Sequence, residues 1–105
     1  MSQEKKIVEE TIEEIKKTTE LFYNGKKEEA YNQMQEAISV IIQMVDVLHE
    51  YHCEHESFSF DEKRVATALT EAMQAMEAGD TTLVADILEY DFVEYLQELL
   101  TKIEE

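Results

Sequence analysis

Three histidines, one cysteine and a run of carboxylates fall together in His49-Glu50-Tyr51-His52-Cys53-Glu54-His55-Glu56, and no other stretch concentrates groups that could ligate a metal or move a proton. On a helix, His49 and His52 lie i,i+3, while His49 and Cys53, and His52 and Glu56, lie i,i+4. Those spacings put side chains on one face, as metal ligands in helical bundles require. A metal-binding bundle using His49, His52, His55 and Glu56 is therefore one reading. It lacks support elsewhere, because bundle metal sites draw ligands from several helices and these three histidines are the only ones in the chain. The simpler reading is a helix C-terminus running into a polar loop, where imidazole sits favourably beside the helix dipole. His52 is then expected inward at its helix end, with the other two solvated and no metal or cofactor bound.

The same stretch does not define a catalytic site. Cys53 has imidazoles nearby, yet histidines crowded on one helix end do not make a nucleophile, base and orienting group. There is no glycine-rich phosphate loop, no GxSxG, no HExxH and no pair of cysteines. The expectation is a protein that is not an enzyme.

The elements carrying these residues read as helices throughout. The 105 residues contain no proline and two glycines, and 44% are hydrophobic, which suits one helical domain covering 1–105. Residues 4–23 place Val8, Ile12, Ile15, Thr19 and Phe22 on one stripe, and Asn24-Gly25 supplies the stop. Residues 26–53 carry a broad stripe (Ala30, Met34, Ala37, Ile38, Ile41, Val45, Leu48, His52) and a second one (Val40, Met44, Val47, Tyr51). A helix apolar on most sides is a central one or is covered by a partner. Residues 54–60 form the one longer connection, after which Ser59 and Glu62 have capping-box spacing. The third helix runs to about Ala78 with Val65, Leu69, Ala72, Met73 and Met76 inward. Gly79 ends it, and Asp80 caps a fourth helix over 81–103 with core stripe Val84, Leu88, Phe92, Tyr95, Leu99 and Ile103. The expected fold is all-α, an antiparallel four-helix bundle made of two helical hairpins.

Two features point outward from that bundle. The fourth helix has a second, shorter strip, Leu83, Ile87 and Tyr90, which turns polar at Glu94 and so either packs under the loop at Phe58 to Phe60 or forms part of a partner groove. Together with Val40, Met44, Val47 and Tyr51 it makes the candidate partner-binding set. The chain is also strongly acidic, with 25 acids against 9 bases and a formal net charge of −16. The acids are spread evenly, 13 with 6 bases in residues 1–60 and 12 with 3 bases beyond. Such a charge disfavours nucleic acid and anionic membranes, so neither is expected as a partner, and it would suit a basic one. The longest apolar run, Val40 to Ile42, cannot span a bilayer. Met1 runs straight into charge at Glu4, Lys5 and Lys6, and Cys53 has no disulfide partner, so the expected location is cytoplasmic.

Residues 21–30, residues 69–78, and above all Gly79-Asp80 followed by Ala85-Asp86-Ile87-Leu88-Glu89-Tyr90 resemble a signature of small uncharacterised helical proteins of Firmicutes. Those proteins are similar in architecture to the flagellar export chaperone FliS, and Asp91 stands here where that signature carries Glu. The resemblance implies a four-helix bundle and an adaptor or chaperone role toward an export or motility partner, with a disordered segment held as helix in surface grooves. The functional expectation is a non-enzymatic binding module for a helical or disordered peptide, basic and amphipathic, in acid-rimmed apolar grooves. The alternatives are the metal-binding bundle and a structural homodimer closed by the second stripes.

Overall fold

Absent proline, and with apolar residues at helical spacing, the chain forms helices wherever it can and turns only where glycine or a polar cap allows. The computed structural model describes residues 2–103, and all regular structure among them is helical. Helix α1 spans Gln3–Tyr23, α2 Lys27–Glu54 and α3 Glu62–Glu77. A fourth rod follows, made of α4 (Thr81–Asp86), a π-helical segment (Ile87–Val93) and α5 (Glu94–Leu100).

Both glycines do the same work. Gly25 and Gly79 have φ of 73° and 71°, the left-handed conformation that costs other residues most. Around the first, Lys26 N–H donates to Leu21 O at 3.0 Å and Gly25 N–H to Phe22 O at 3.2 Å. Around the second, Asp80 N–H donates to Ala75 O at 2.9 Å and Gly79 N–H to Met76 O at 3.0 Å. Each is a Schellman turn that satisfies the last carbonyls of one helix and reverses the chain. The helix starts use side-chain acceptors: Ser2 for Lys5 N–H, Asp61 for Arg64 N–H and Asp80 for Leu83 N–H. The Ser59–Glu62 capping box does not form. Phe58 is drawn into the core against Tyr51, so the helix begins later, behind the carboxylate of Asp61.

The central helix is α1, not α2. It packs against α2 on one side and against the fourth rod on the other. Its buried face is wide: Val8, Ile12, Ile15 and Phe22 are joined by Thr11, Thr18 and Thr19. The three threonines are tolerated because each hydroxyl donates to the carbonyl one turn back, at 2.7 to 2.9 Å, on Ile7, Glu14 and Ile15. Among the described residues no buried side-chain polar atom is left unpaired.

The third helix is turned relative to expectation. It packs through Val65, Ala68, Ala72 and Ala75 against the fourth rod. Leu69 and Met76 are half-buried and Met73 is exposed. Small side chains let two helices approach closely, and the alanine stripe takes the inner position that Leu69, Met73 and Met76 were expected to hold.

The fourth rod buries every residue of the expected stripe, Val84, Leu88, Phe92, Tyr95, Leu99 and Ile103, together with Val93 and Leu96. Leu96 lies in α5, four residues after Phe92 and on the same side, and Val93 lies in the π segment. Its i→i+5 hydrogen bonds widen the turn, so residues four and five apart stack where three and four apart would in an α-helix. No helix of the described chain is long and apolar enough to cross a membrane.

Candidate functional site

With α2 laid on α1 and α3 on the fourth rod, the outer sides of α2 and α3 face each other across a groove of about 340 Å³. Its lining is Ile41, Ile42 and Val45 from α2 and Val65, Ala66 and Leu69 from α3, with Asp46, Glu62 and Lys63 among the rim. Ile41 closes the floor, whereas Ile42 is 53% exposed. Met73 lies one turn beyond Leu69 on the same face and is also exposed. The two helices touch through polar groups toward each end. Tyr31 Oη donates to Met76 O at 2.9 Å, and His49 Nδ1 meets Glu62 Oε1 at 2.5 Å.

The candidate partner-binding residues are dispersed by the fold. Met44 and Tyr51 are buried in the core, Tyr51 showing only an edge in a depression lined also by His55, Phe58 and Lys102. Tyr51 stacks on His55 with ring centroids 4.1 Å apart and takes the edge of Phe58 at 5.0 Å. Val40 and Val47 are half-buried, and Val47 lines a shallow depression with Gln3, Lys6, Ile7, Glu10 and Gln43. This stripe is used by packing against α1, the neighbour that sequence periodicity alone could not assign.

The strip on the fourth rod is split as well. Leu83 and Ile87 line a groove of about 450 Å³ against Ala75 of α3 and Ala78 just past its end, with Asp91 continuing it. Ile87 is only 6% exposed and Leu83 46%. Tyr90, 59% exposed, leaves that line because the π segment stacks Asp91, four residues on, over Ile87 in its place. The loop at Phe58 to Phe60 does not cover the strip, since Phe58 packs on Tyr51.

Tyr90 instead follows Asp86 by four residues on the side of the rod that meets Tyr23. The Tyr23 hydroxyl donates to Asp86 Oδ1 at 2.7 Å. That hydrogen bond, with slight desolvation and the negative charges of Asp86, Tyr90 and Glu89, pushes the phenol up to about 12.

The histidines are each committed elsewhere. His52 Nδ1–H donates to Phe58 O and His55 Nδ1–H to Tyr51 O at 3.1 Å. His52 is exposed rather than inward, because the carbonyl it serves lies in the loop that follows. His49 Nδ1–H donates to the Glu62 carboxylate, leaving Nε2 facing Cys53 Sγ at 3.9 Å. The structure does not bring His49, His52, His55 and Glu56 together. Among the described residues no group of three or more His, Cys, Asp or Glu is placed to hold a metal ion. Glu62 is the residue sequence reasoning missed here, its spacing to Ser59 having assigned it to a cap. No local signal joins it to His49 thirteen residues away.

No curated protein and no solved structure matches the chain. A family model described as "Domain of unknown function (DUF8042)" matches residues 1–102. An all-helical chain matched over nearly its full length is a member of that family: this protein belongs to the DUF8042 family.

Proposed function

We propose that this chain is a non-enzymatic binding module, an adaptor with a chaperone-like role, which holds an amphipathic peptide segment as a helix in the groove between α2 and α3. The observation that carries the reading is Ile42, a large aliphatic side chain 53% exposed on the wall of an otherwise apolar groove. An unpartnered apolar groove flanked by two helices is the geometry in which an amphipathic helix buries its own apolar face. The rim carries the carboxylates Asp46 and Glu62 against the single base Lys63, and with the net charge of −16 it favours basic flanks on that peptide and speeds its encounter. The resemblance of residues 79–90 to FliS-like proteins supports the same class of role, toward an export or motility partner.

The test is binding of a basic amphipathic helical peptide built from leucine and lysine, read by fluorescence anisotropy. Ile42→Glu should weaken binding about tenfold or more, which corresponds to ~1.4 kcal/mol, while the thermal midpoint holds. Equal binding by both proteins sinks the reading. A wild-type dimer in sedimentation that dissociates in Ile42→Glu assigns the groove to a second copy of the chain instead.

A further inference from the structure

Where α1 ends beside the fourth rod, two exposed aromatic rings stand with two half-buried carboxylates, on a surface separate from the α2–α3 groove. Tyr23 is 51% exposed and Tyr90 59%, values unusual for rings in a small protein that buries Phe22, Phe58, Phe92, Tyr51 and Tyr95. Asp86 is partly buried and held by the Tyr23 hydroxyl at 2.7 Å. Glu89 and Tyr90 follow Asp86 by three and four residues along the rod, which places them on its side of the helix. The two charged side chains of the site, Asp86 and Glu89, are both negative, and the site lies at the C-terminal, negative end of the α1 dipole. No basic residue stands in the last turn of α1, nor in α4 or the π segment; Lys26 and Lys27 follow in the turn after α1, where Lys27 lies over the Tyr31 ring.

Two tyrosine faces beside a positioned carboxylate are complementary to one class of group, a weakly hydrated organic cation. The rings supply cation–π attraction and the carboxylate takes the hydrogen bonds. A planar guanidinium satisfies both at once: it stacks on a ring and presents paired N–H donors to a carboxylate. The π segment has a role in this arrangement. It removes Tyr90 from the line of Leu83 and Ile87, where an α-helical turn would hold it nearer the α3 groove, and leaves it on the side of Tyr23 and Asp86. We propose that Tyr23, Asp86, Glu89 and Tyr90 form a recognition site for an arginine side chain of a protein partner. The site stands whether or not the α2–α3 groove binds a peptide.

The probe is a tetra-arginine peptide titrated into the full chain at physiological ionic strength, where non-specific attraction to the acidic surface is screened. Tetra-citrulline, neutral and nearly isosteric, is its control. Ring resonances of Tyr23 and Tyr90 are followed by NMR. The expected result is a saturating shift of both rings with tetra-arginine and none with tetra-citrulline. Tyr90→Leu should weaken binding roughly two- to five-fold, the share of one exposed cation–π contact. Asp86→Asn should weaken it at least as much, while Glu50→Gln, on the distant end of α2, should leave it unchanged. Tyr90 and Glu50 are exposed and Asp86→Asn keeps the shape of the side chain, so the variants should fold, and unchanged far-ultraviolet circular dichroism verifies this. Ring shifts that fail to appear, or binding as sensitive to Glu50→Gln as to Asp86→Asn, would overturn the proposal. Loss of groove binding in Ile42→Glu with the Tyr23 and Tyr90 shifts intact separates this site from the groove.

Discussion

His49 on α2 and Glu62 on α3 meet at 2.5 Å, Nδ1 to Oε1, and so tie the end of one helical hairpin to the start of the next. The contact spans the one long connection in the chain, the loop from His55 to Asp61. It also bounds the α2–α3 groove at one end, opposite the Tyr31–Met76 hydrogen bond.

Both partners are open to water, with side-chain exposures of 60% and 46%, so the pair should contribute little to global stability. Glu62→Gln is expected to cost less than about 1 kcal/mol in urea denaturation. Its effect should be local, as faster amide hydrogen exchange in the first turn of α3 with the rest of the chain unchanged. A loss above that figure would show the contact to be a structural anchor.

Neighbouring isoleucines on α2 should behave oppositely. Ile41 is 1% exposed and Ile42 53%. Ile41→Ala is therefore expected to cost roughly 2–5 kcal/mol through lost burial and a residual cavity. Ile42→Ala should fall within about 0.5 kcal/mol of wild type. Chemical denaturation of the two variants measures the difference directly. Similar costs for both would mean that the wall of the groove is packed in solution.

The contrast shows where sequence periodicity is informative. Helix ends were legible because Gly25 and Gly79 impose a backbone conformation locally, whatever packs nearby. Four rods, and the core stripes of α1 and the fourth rod, followed from apolar spacing. Which apolar face turns inward was not legible for α3, where both Ala68-Ala72-Ala75 and Leu69-Met73-Met76 repeat with helical spacing. Hydrophobicity favours the second stripe, close packing the first, and the fold uses the first. The π segment has no local residue signature, so the separation of Tyr90 from Ile87 could not be read in advance. Glu62 was invisible as a partner of His49 for the same reason, since the loop between them decides the contact.

The raised phenol of Tyr23 gives a pH signature. Its proton is held more tightly folded, at about 12, than in the reference state at 10.0. A group whose folded value is raised stabilises the protein fully below the unfolded value, and that contribution is lost as pH climbs from 10 through about 12. Because Tyr23 is half exposed, the effect on stability is small, and spectroscopy is the better readout. In an ultraviolet titration, the difference between wild type and Tyr23→Phe should show one tyrosine ionising with a midpoint near 12. Asp86→Asn should bring that midpoint down, since the hydrogen bond to Asp86 is the largest cause. An unchanged midpoint would remove Asp86 as the cause.

Leu83 and Ile87 sit one turn apart on the fourth rod and line the same groove against α3, yet they should tolerate charge very differently. Ile87 is 6% exposed and belongs to the main apolar core. Ile87→Glu would bury a carboxylate with Asp91 beside it and no basic residue in the lining. That penalty is several kcal/mol unless the group takes up a proton, a large fraction of the stability of a domain this size. The expected result is loss of the cooperative thermal transition near neutral pH, with partial recovery in mild acid as the new carboxyl becomes neutral. Leu83, 46% exposed, can turn a glutamate into water, and Leu83→Glu should shift stability by no more than about 0.5 kcal/mol. If Ile87→Glu instead melts like wild type, the α3 side of the rod opens in solution, and Ile87 is available to a partner as Leu83 is. If both variants unfold, the groove between α3 and the rod is closed, and Leu83 belongs to the core.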